Sequence, residues 1–177
     1  MSFPIRTLLI ALIAADAGCD DSRPSQEPLV RTLYVTSRFE SAVSQFAIHP
    51  DGSLTPLSPL RAATGGEFSD SLGLAVSPDG RYVYVADGPS NSSSGPASHT
   101  GTVTQFWVDN DGTLVPRSPF TAAADFNPIQ TILTPDGRFL YVANEGSTAV
   151  GQYQVNFGGQ LWPLSPPSVF TSRPSDM

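Results

Sequence analysis

The chain has 177 residues, 40% of them hydrophobic, which is enough for one ordinary domain with a sizeable core. Only 14% are charged, and 15 Gly with 17 Pro suit short strands joined by tight turns better than long amphipathic helices. The formal net charge is −7 and all nine basic residues are Arg, scattered singly, so nucleic acid, which needs a concentrated positive surface, is not an expected partner.

Residues 1–19 read as an export signal rather than as fold. Met1–Arg6 carries one positive charge, and Thr7–Ala15 is an apolar run of nine, too short to span a bilayer but the right length for a signal-peptide core. The single Cys of the chain closes this segment as Ala17-Gly18-Cys19. That ending resembles a bacterial lipobox, which implies cleavage before Cys19 and a lipid on its sulfur. Asp16 departs from the Leu usual in that pattern, and the plainer alternative is an ordinary signal peptide with an unmodified thiol. Residues 20–30, polar and Pro-rich from Ser22 to Pro28, read as a tether. The expectation is an exported protein, periplasmic or at the cell surface, held to the membrane by the lipid on Cys19.

From residue 31 onward three motifs recur in fixed order. Leu33-Tyr34-Val35 returns as Val83-Tyr84-Val85 and Leu140-Tyr141-Val142. Val-x-Gln-aromatic occurs at Val43–Phe46, Val103–Phe106 and Val150–Tyr153, and Leu-x-Pro-x-Ser-Pro at Leu54–Pro59, Leu114–Pro119 and Leu161–Pro166. The step from the Gln to the first Pro is eleven residues in every copy. From the Tyr to the Gln it is eleven in the outer copies and twenty-one in the middle one. The repeats fall at about 31–70, 71–127 and 128–177.

Each piece has strand chemistry. Tyr82–Val85 and Phe139–Val142 are aromatic and β-branched, preceded by the turns Pro78-Asp79-Gly80 and Pro135-Asp136-Gly137. Asp51-Gly52, Asp111-Gly112 and Gly158-Gly159 turn the chain again later in each copy. The middle copy therefore reads as four strands: Leu72–Ser77, Arg81–Ala86, Gly101–Val108 and Thr113–Pro119. Four antiparallel strands in about 40–50 residues make one propeller blade, and the fold class is all-β, a β-propeller.

The Pro-Asp-Gly-Arg-aromatic-Leu/Val-Tyr-Val-Ala-Asn/Asp pattern resembles the Tyr-Val-Thr-Asn repeat propellers grouped with the 6-phosphogluconolactonase-like, or lactonase, family. The likeness runs from Leu33 to about Phe170. It implies a propeller of about seven blades and, for the activity, lactone opening by a carboxylic ester hydrolase. Strand counting gives three, four and four, or about two and three-quarter blades, so the expectation is an N-terminal fragment. The alternative is closure of the open faces by self-association of a short form.

Lactone opening needs a base for water and cations for the oxyanion. The resemblance directs attention to Pro-x-His at the start of an innermost strand, but the matching positions here are Pro128-x-Gln130 and Gly73, neither a base. No catalytic residue is therefore assigned. His49 precedes a hairpin turn and His99 lies within the longer loop of the middle copy, Gly88–Gly101. No His or Cys spacing suits a metal and no Gly-rich phosphate loop is present, so no metal or cofactor is expected. Asp70 and Asp125 precede innermost strands, and Asp87 and Glu145 follow second strands. With Gln130 they are the candidate channel-mouth residues for a small polar ligand or Ca²⁺, turn capping being the plainer reading of each carboxylate. Trp107 and Trp162 are expected between blades. The leading expectation is a non-catalytic scaffold or binding module of the cell envelope, with a small polar ligand or an envelope protein as partner. The N-terminal part of a lactonase-family hydrolase is the alternative.

Overall fold

Strand formation follows the repeated motifs, and in the computed structural model the described residues (8–13, 31–37, 40–65, 69–89 and 100–171) form three antiparallel four-stranded sheets. The first contains β1 (Leu8–Ile13), β2 (Thr32–Ser37), β3 (Ala42–Ile48) and β4 (Leu54–Ala63). The second contains β5 (Ser69–Val76), β6 (Tyr82–Pro89), β7 (Thr100–Val108) and β8 (Leu114–Phe126). The third contains β9 (Pro128–Leu133), β10 (Phe139–Asn144), β11 (Ala149–Val155) and β12 (Leu161–Phe170). Each sheet is an up-and-down meander in chain order, so each is one blade.

The first blade differs from the strand count. Leu8–Ile13, the segment expected as a signal core, pairs antiparallel with β2 from Leu8↔Ser37 to Ile13↔Thr32, supplying a fourth strand where three were counted. An apolar, Ile- and Leu-rich run suits the otherwise open ladder edge of β2. Cys19 and the tether lie outside the described residues.

The fourth strands are longer than expected: β8 continues from Leu114 through the Ser118-Pro119 step to Phe126. A register shift opposite Thr104–Phe106 lets the chain pass the prolines, which cannot donate to the ladder. The same shift occurs in the first and third blades, and each copy carries a cis Ser-Pro peptide there. At that point Gln45 Nε2 donates to Pro59 O at 2.9 Å and Gln105 Nε2 to Pro119 O at 3.1 Å.

The core consists of two seams. Tyr34, Val43 and Ala62 of the first blade meet Leu74, Val83, Val85, Phe106 and Leu114 of the second. Tyr84 and Val103, on the other face of the second blade, meet Leu140, Val142, Tyr153 and Leu161 of the third. The middle blade is buried on both faces, which explains why Tyr82–Ala86 is continuously apolar or aromatic instead of alternating with polar residues.

The repeated Tyr and Gln fasten each blade to the next. Tyr34 Oη donates to Gly112 O, and Gln45 Oε1 accepts from Leu114 N at 2.6 Å. Tyr84 Oη donates to Gly159 O, and Gln105 Oε1 accepts from Leu161 N at 2.8 Å.

Candidate functional site

The end of the blades where second strands finish and innermost strands begin is built by close backbone packing. A Cβ on Gly101 would lie 2.3 Å from the Pro128 ring, and one on Gly88 would lie 3.0 Å from Asn127 Oδ1. The second blade's connection thus lies against the entry to the third. Deeper along the innermost strands, a Cβ on Gly73 would lie 2.6 Å from Gln130 Cα, so β5 and β9 approach closely.

On this rim Asn127 adopts a left-handed backbone (φ 51°), turning its side chain toward the loop after β10. Its Nδ2 donates to Glu145 Oε2 at 3.0 Å, and Glu145 N donates to Asn127 O at 2.9 Å. Glu145 and Gln130 are exposed, while Asn127 is half-buried. The pair presents a carboxylate fixed by an amide, an arrangement suited to the hydroxyls of a polar ligand. Asn127 was missed in the sequence because no motif contains it; its position between the fourth strand of one blade and the first of the next was the available clue.

The other sequence candidates have partners of their own or side chains outside the described residues. Asp87 is 1% exposed, and its Oδ2 accepts from Thr104 Oγ1, which in turn accepts from Gly65 N at 3.0 Å. It is buried at the seam between the first and second blades and does not reach solvent. Asp125 is half-buried, and its Oδ1 accepts from Phe126 N at 2.8 Å. Asp70 pairs with Gly88 across β5 and β6, its side chain lying outside the described residues. His49 is exposed and bonded to Thr55 Oγ1 at 2.6 Å; His99 lies outside the described residues. Among the described residues no group of three or more His, Cys, Asp or Glu is placed to hold a metal.

A second concavity, about 800 Å³, opens at the opposite end between the second and third blades. Asp79, Asp136, Arg138, Phe157 and Trp162 are among its lining residues. The Thr134 hydroxyl, followed by Arg138 N, holds the Asp136 carboxyl below its usual range, making it a turn acceptor rather than a base. Trp107 and Trp162 are 47% and 56% exposed, not packed away between blades as expected, and Trp162 is a wall of this groove. This groove draws its walls from three hairpins in two blades, so no contiguous motif announced it.

Residues 26–166 match the family described as Lactonase, 7-bladed beta-propeller. A search of the curated proteins found no match. Among solved structures, the chain is similar to a candidate 6-phosphogluconolactonase from Bacteroides fragilis, with TM-score 0.65 and 22% identity over 78% of this chain and 36% of that one. A second such protein, from Bacteroides uniformis, gives TM-score 0.62 and 20% identity over 78% and 37%. The periplasmic gluconolactonase of Pseudomonas aeruginosa gives TM-score 0.55 and 24% identity over 73% and 34%. The chain therefore spans about a third of the length of these solved chains. At this identity the likeness carries the fold alone.

Proposed function

Because the chain belongs to the lactonase family of seven-bladed β-propellers, we propose that it supplies three blades of a propeller that hydrolyses a sugar lactone, the alternative reading of the sequence. The observation that carries this is the family match over residues 26–166. The rim adds chemistry to it. Glu145, held by Asn127, accepts hydrogen bonds from the hydroxyls of a polyhydroxylated ring, and the exposed Gln130 adds an amide from β9. Ring opening itself requires water delivered by a base and an oxyanion partner. In this reading Glu145 orients the lactone and is not assigned as the base. The test is hydrolysis of glucono-δ-lactone by the protein and by Glu145→Gln. A rise in KM with kcat retained supports an orienting role; unchanged kinetics removes Glu145 from the site. No turnover above buffer by a closed propeller that contains these three blades removes the hydrolase reading.

A second reading, a binding module of the cell envelope without turnover, is favoured by Gln130, a residue that cannot act as a base where the resemblance directs attention to His. Export, with lipid on Cys19, is part of the proposal for either reading. It is supported by the apolar run before Ala17-Gly18-Cys19 and by the likeness to a periplasmic gluconolactonase. Intact mass of the membrane-bound protein tests it: a diacylglyceryl-modified Cys19 as the new N-terminus is expected, and retention of Met1 in exported material overturns it. An exported, processed chain also loses Leu8–Ile13, leaving the β2 edge without that strand.

A further inference from the structure

The two seams between blades are built from the same positions, and three of those positions carry different residues in the second seam. At the first seam Leu74, the Cα partner of Val85, is buried in the apolar cluster, and Asp87 follows two residues beyond Val85 on the same face. The Asp87 carboxylate accepts from Thr104 Oγ1, which accepts from Gly65 N of the first blade at 3.0 Å. The buried polar group at the end of β6 is thus answered by a side chain of β7.

At the second seam the corresponding residues are Thr131, the Cα partner of Val142, then Asn144 and Gly151. All three lie on the face of the third blade that sets Leu140 and Val142 against the second. Gly151 has no hydroxyl where Thr104 stands in the second blade. Asn144 Nδ2 donates to backbone instead, to Val142 O at 3.2 Å and Ala149 O at 3.4 Å. Its Oδ1 is buried with no hydrogen-bond partner among the described residues, and so is Thr131 Oγ1. Both residues are only 2% exposed. Opposite them the second blade brings Gly73, where a Cβ would lie 2.7 Å from Thr131 N, and Ala86, the Cα partner of Gly73. Neither has a polar side chain.

We propose that one water molecule is built into this seam, donating to Asn144 Oδ1 and bonded to the Thr131 hydroxyl. A buried amide oxygen and a buried hydroxyl each cost free energy unless they are bonded, and internal waters are held where two or more such groups converge. Thr131 and Asn144 are diagonal neighbours on one face of β9 and β10, a spacing that one water bridges between side-chain oxygens. Water suits this pair better than a cation. Both partners are neutral, and the amide oxygen needs a donor, which a metal ion cannot be. Asn144 precedes Glu145 and Thr131 follows Gln130, so the bridge ties the innermost strand to the end of β10 beside the two rim residues.

A crystal structure of a closed propeller that contains these three blades tests the site. One solvent molecule within about 3.2 Å of both Asn144 Oδ1 and Thr131 Oγ1 is expected. Contacts at about 2.3–2.6 Å would mark a cation, and either oxygen bonded to protein instead would leave the water without its bridge; both outcomes overturn the proposal. Magnetic relaxation dispersion of water oxygen, which counts long-lived internal waters, tests it in solution. Thr131→Leu copies Leu74 of the second blade, and Thr131→Val keeps the side-chain shape while deleting the hydroxyl. In each variant that circular dichroism shows to be folded, the count should fall by one from that of the unaltered protein. A folded variant that keeps the full count overturns the proposal. Should both variants fail to fold, the crystal structure still decides.

Discussion

Tyr84 Oη donates to the carbonyl of Gly159 at 2.7 Å, joining residues 75 positions apart and fixing the second blade to the late hairpin of the third. Tyr34 does the same to Gly112 at 2.6 Å. Both hydroxyls are buried, so Tyr84→Phe keeps the ring but leaves a carbonyl with no donor. The expected loss is about 1–3 kcal/mol of unfolding free energy in urea. Tyr141→Phe, at the corresponding hydroxyl of the third blade, which has no partner among the described residues, should change stability by less than about 0.5 kcal/mol. An equal loss for both variants would show that the hydroxyl-to-hairpin bond contributes nothing.

The same tyrosines set an alkaline limit. Burial raises the Tyr34 phenol from 10.0 to about 12 and that of Tyr153 likewise, and Tyr84 moves in the same direction for the same reason. The folded chain therefore holds protons that the unfolded chain releases between pH 10 and about 12. This contribution is complete below pH 10 and is lost as pH rises through that window. Urea titrations across it should show unfolding free energy falling with pH, with a shallower slope in Tyr84→Phe. On the acid side, hydroxyl donors Ser53, Thr113 and Thr134 lower Asp51, Asp111 and Asp136 below 3.8. Their contribution is present above that value and disappears as pH falls through the lower folded one.

Two glycines separate crowding from backbone conformation. At Gly73 a Cβ would meet backbone atoms of Gln130 and Thr131 at 2.6–2.8 Å, and backbone cannot rotate aside. Gly73→Ala is expected to force β5 and β9 apart and to cost about 1–3 kcal/mol or more. Gly52→Ala meets no neighbour but demands φ 83° of an L residue, a penalty of about 1–2 kcal/mol. Thermal melts of the two variants check this; a Gly73→Ala protein as stable as the parent would mean that the innermost strands have slack.

How far the sequence foretold this depends on the range of the interaction. The three blades were legible because each motif is local: Pro-Asp-Gly turns, Tyr-centred strands and Asp-Gly or Gly-Gly hairpins lie within a few residues of the strands they join. What the Gln repeat does was not legible, since Gln105 bonds Leu161 N across 56 positions and nothing local announces that partner. The first strand was read otherwise because an apolar run of nine fits a signal core and a sheet edge equally well. On the rim, Glu145 was visible as a carboxylate after a strand. Asn127 was not, its role arising from a left-handed backbone that no motif encodes.

Asp87 and Glu145, alike in the sequence as carboxylates after second strands, should separate experimentally. Asp87 is buried against Thr104, so Asp87→Ala leaves a hydroxyl without its acceptor in a site closed to water. The expected cost is about 1–3 kcal/mol, with ligand affinity altered only as far as the fold is loosened. Glu145 is exposed and its backbone N–H already fixes the loop to Asn127 O. Glu145→Gln should leave stability within about 0.5 kcal/mol while weakening binding of glucono-δ-lactone. Paired melting curves and lactone titrations of the two variants give the answer. Weaker binding in folded Asp87→Ala, with unchanged binding in Glu145→Gln, would move the ligand from the rim to the seam between the first and second blades.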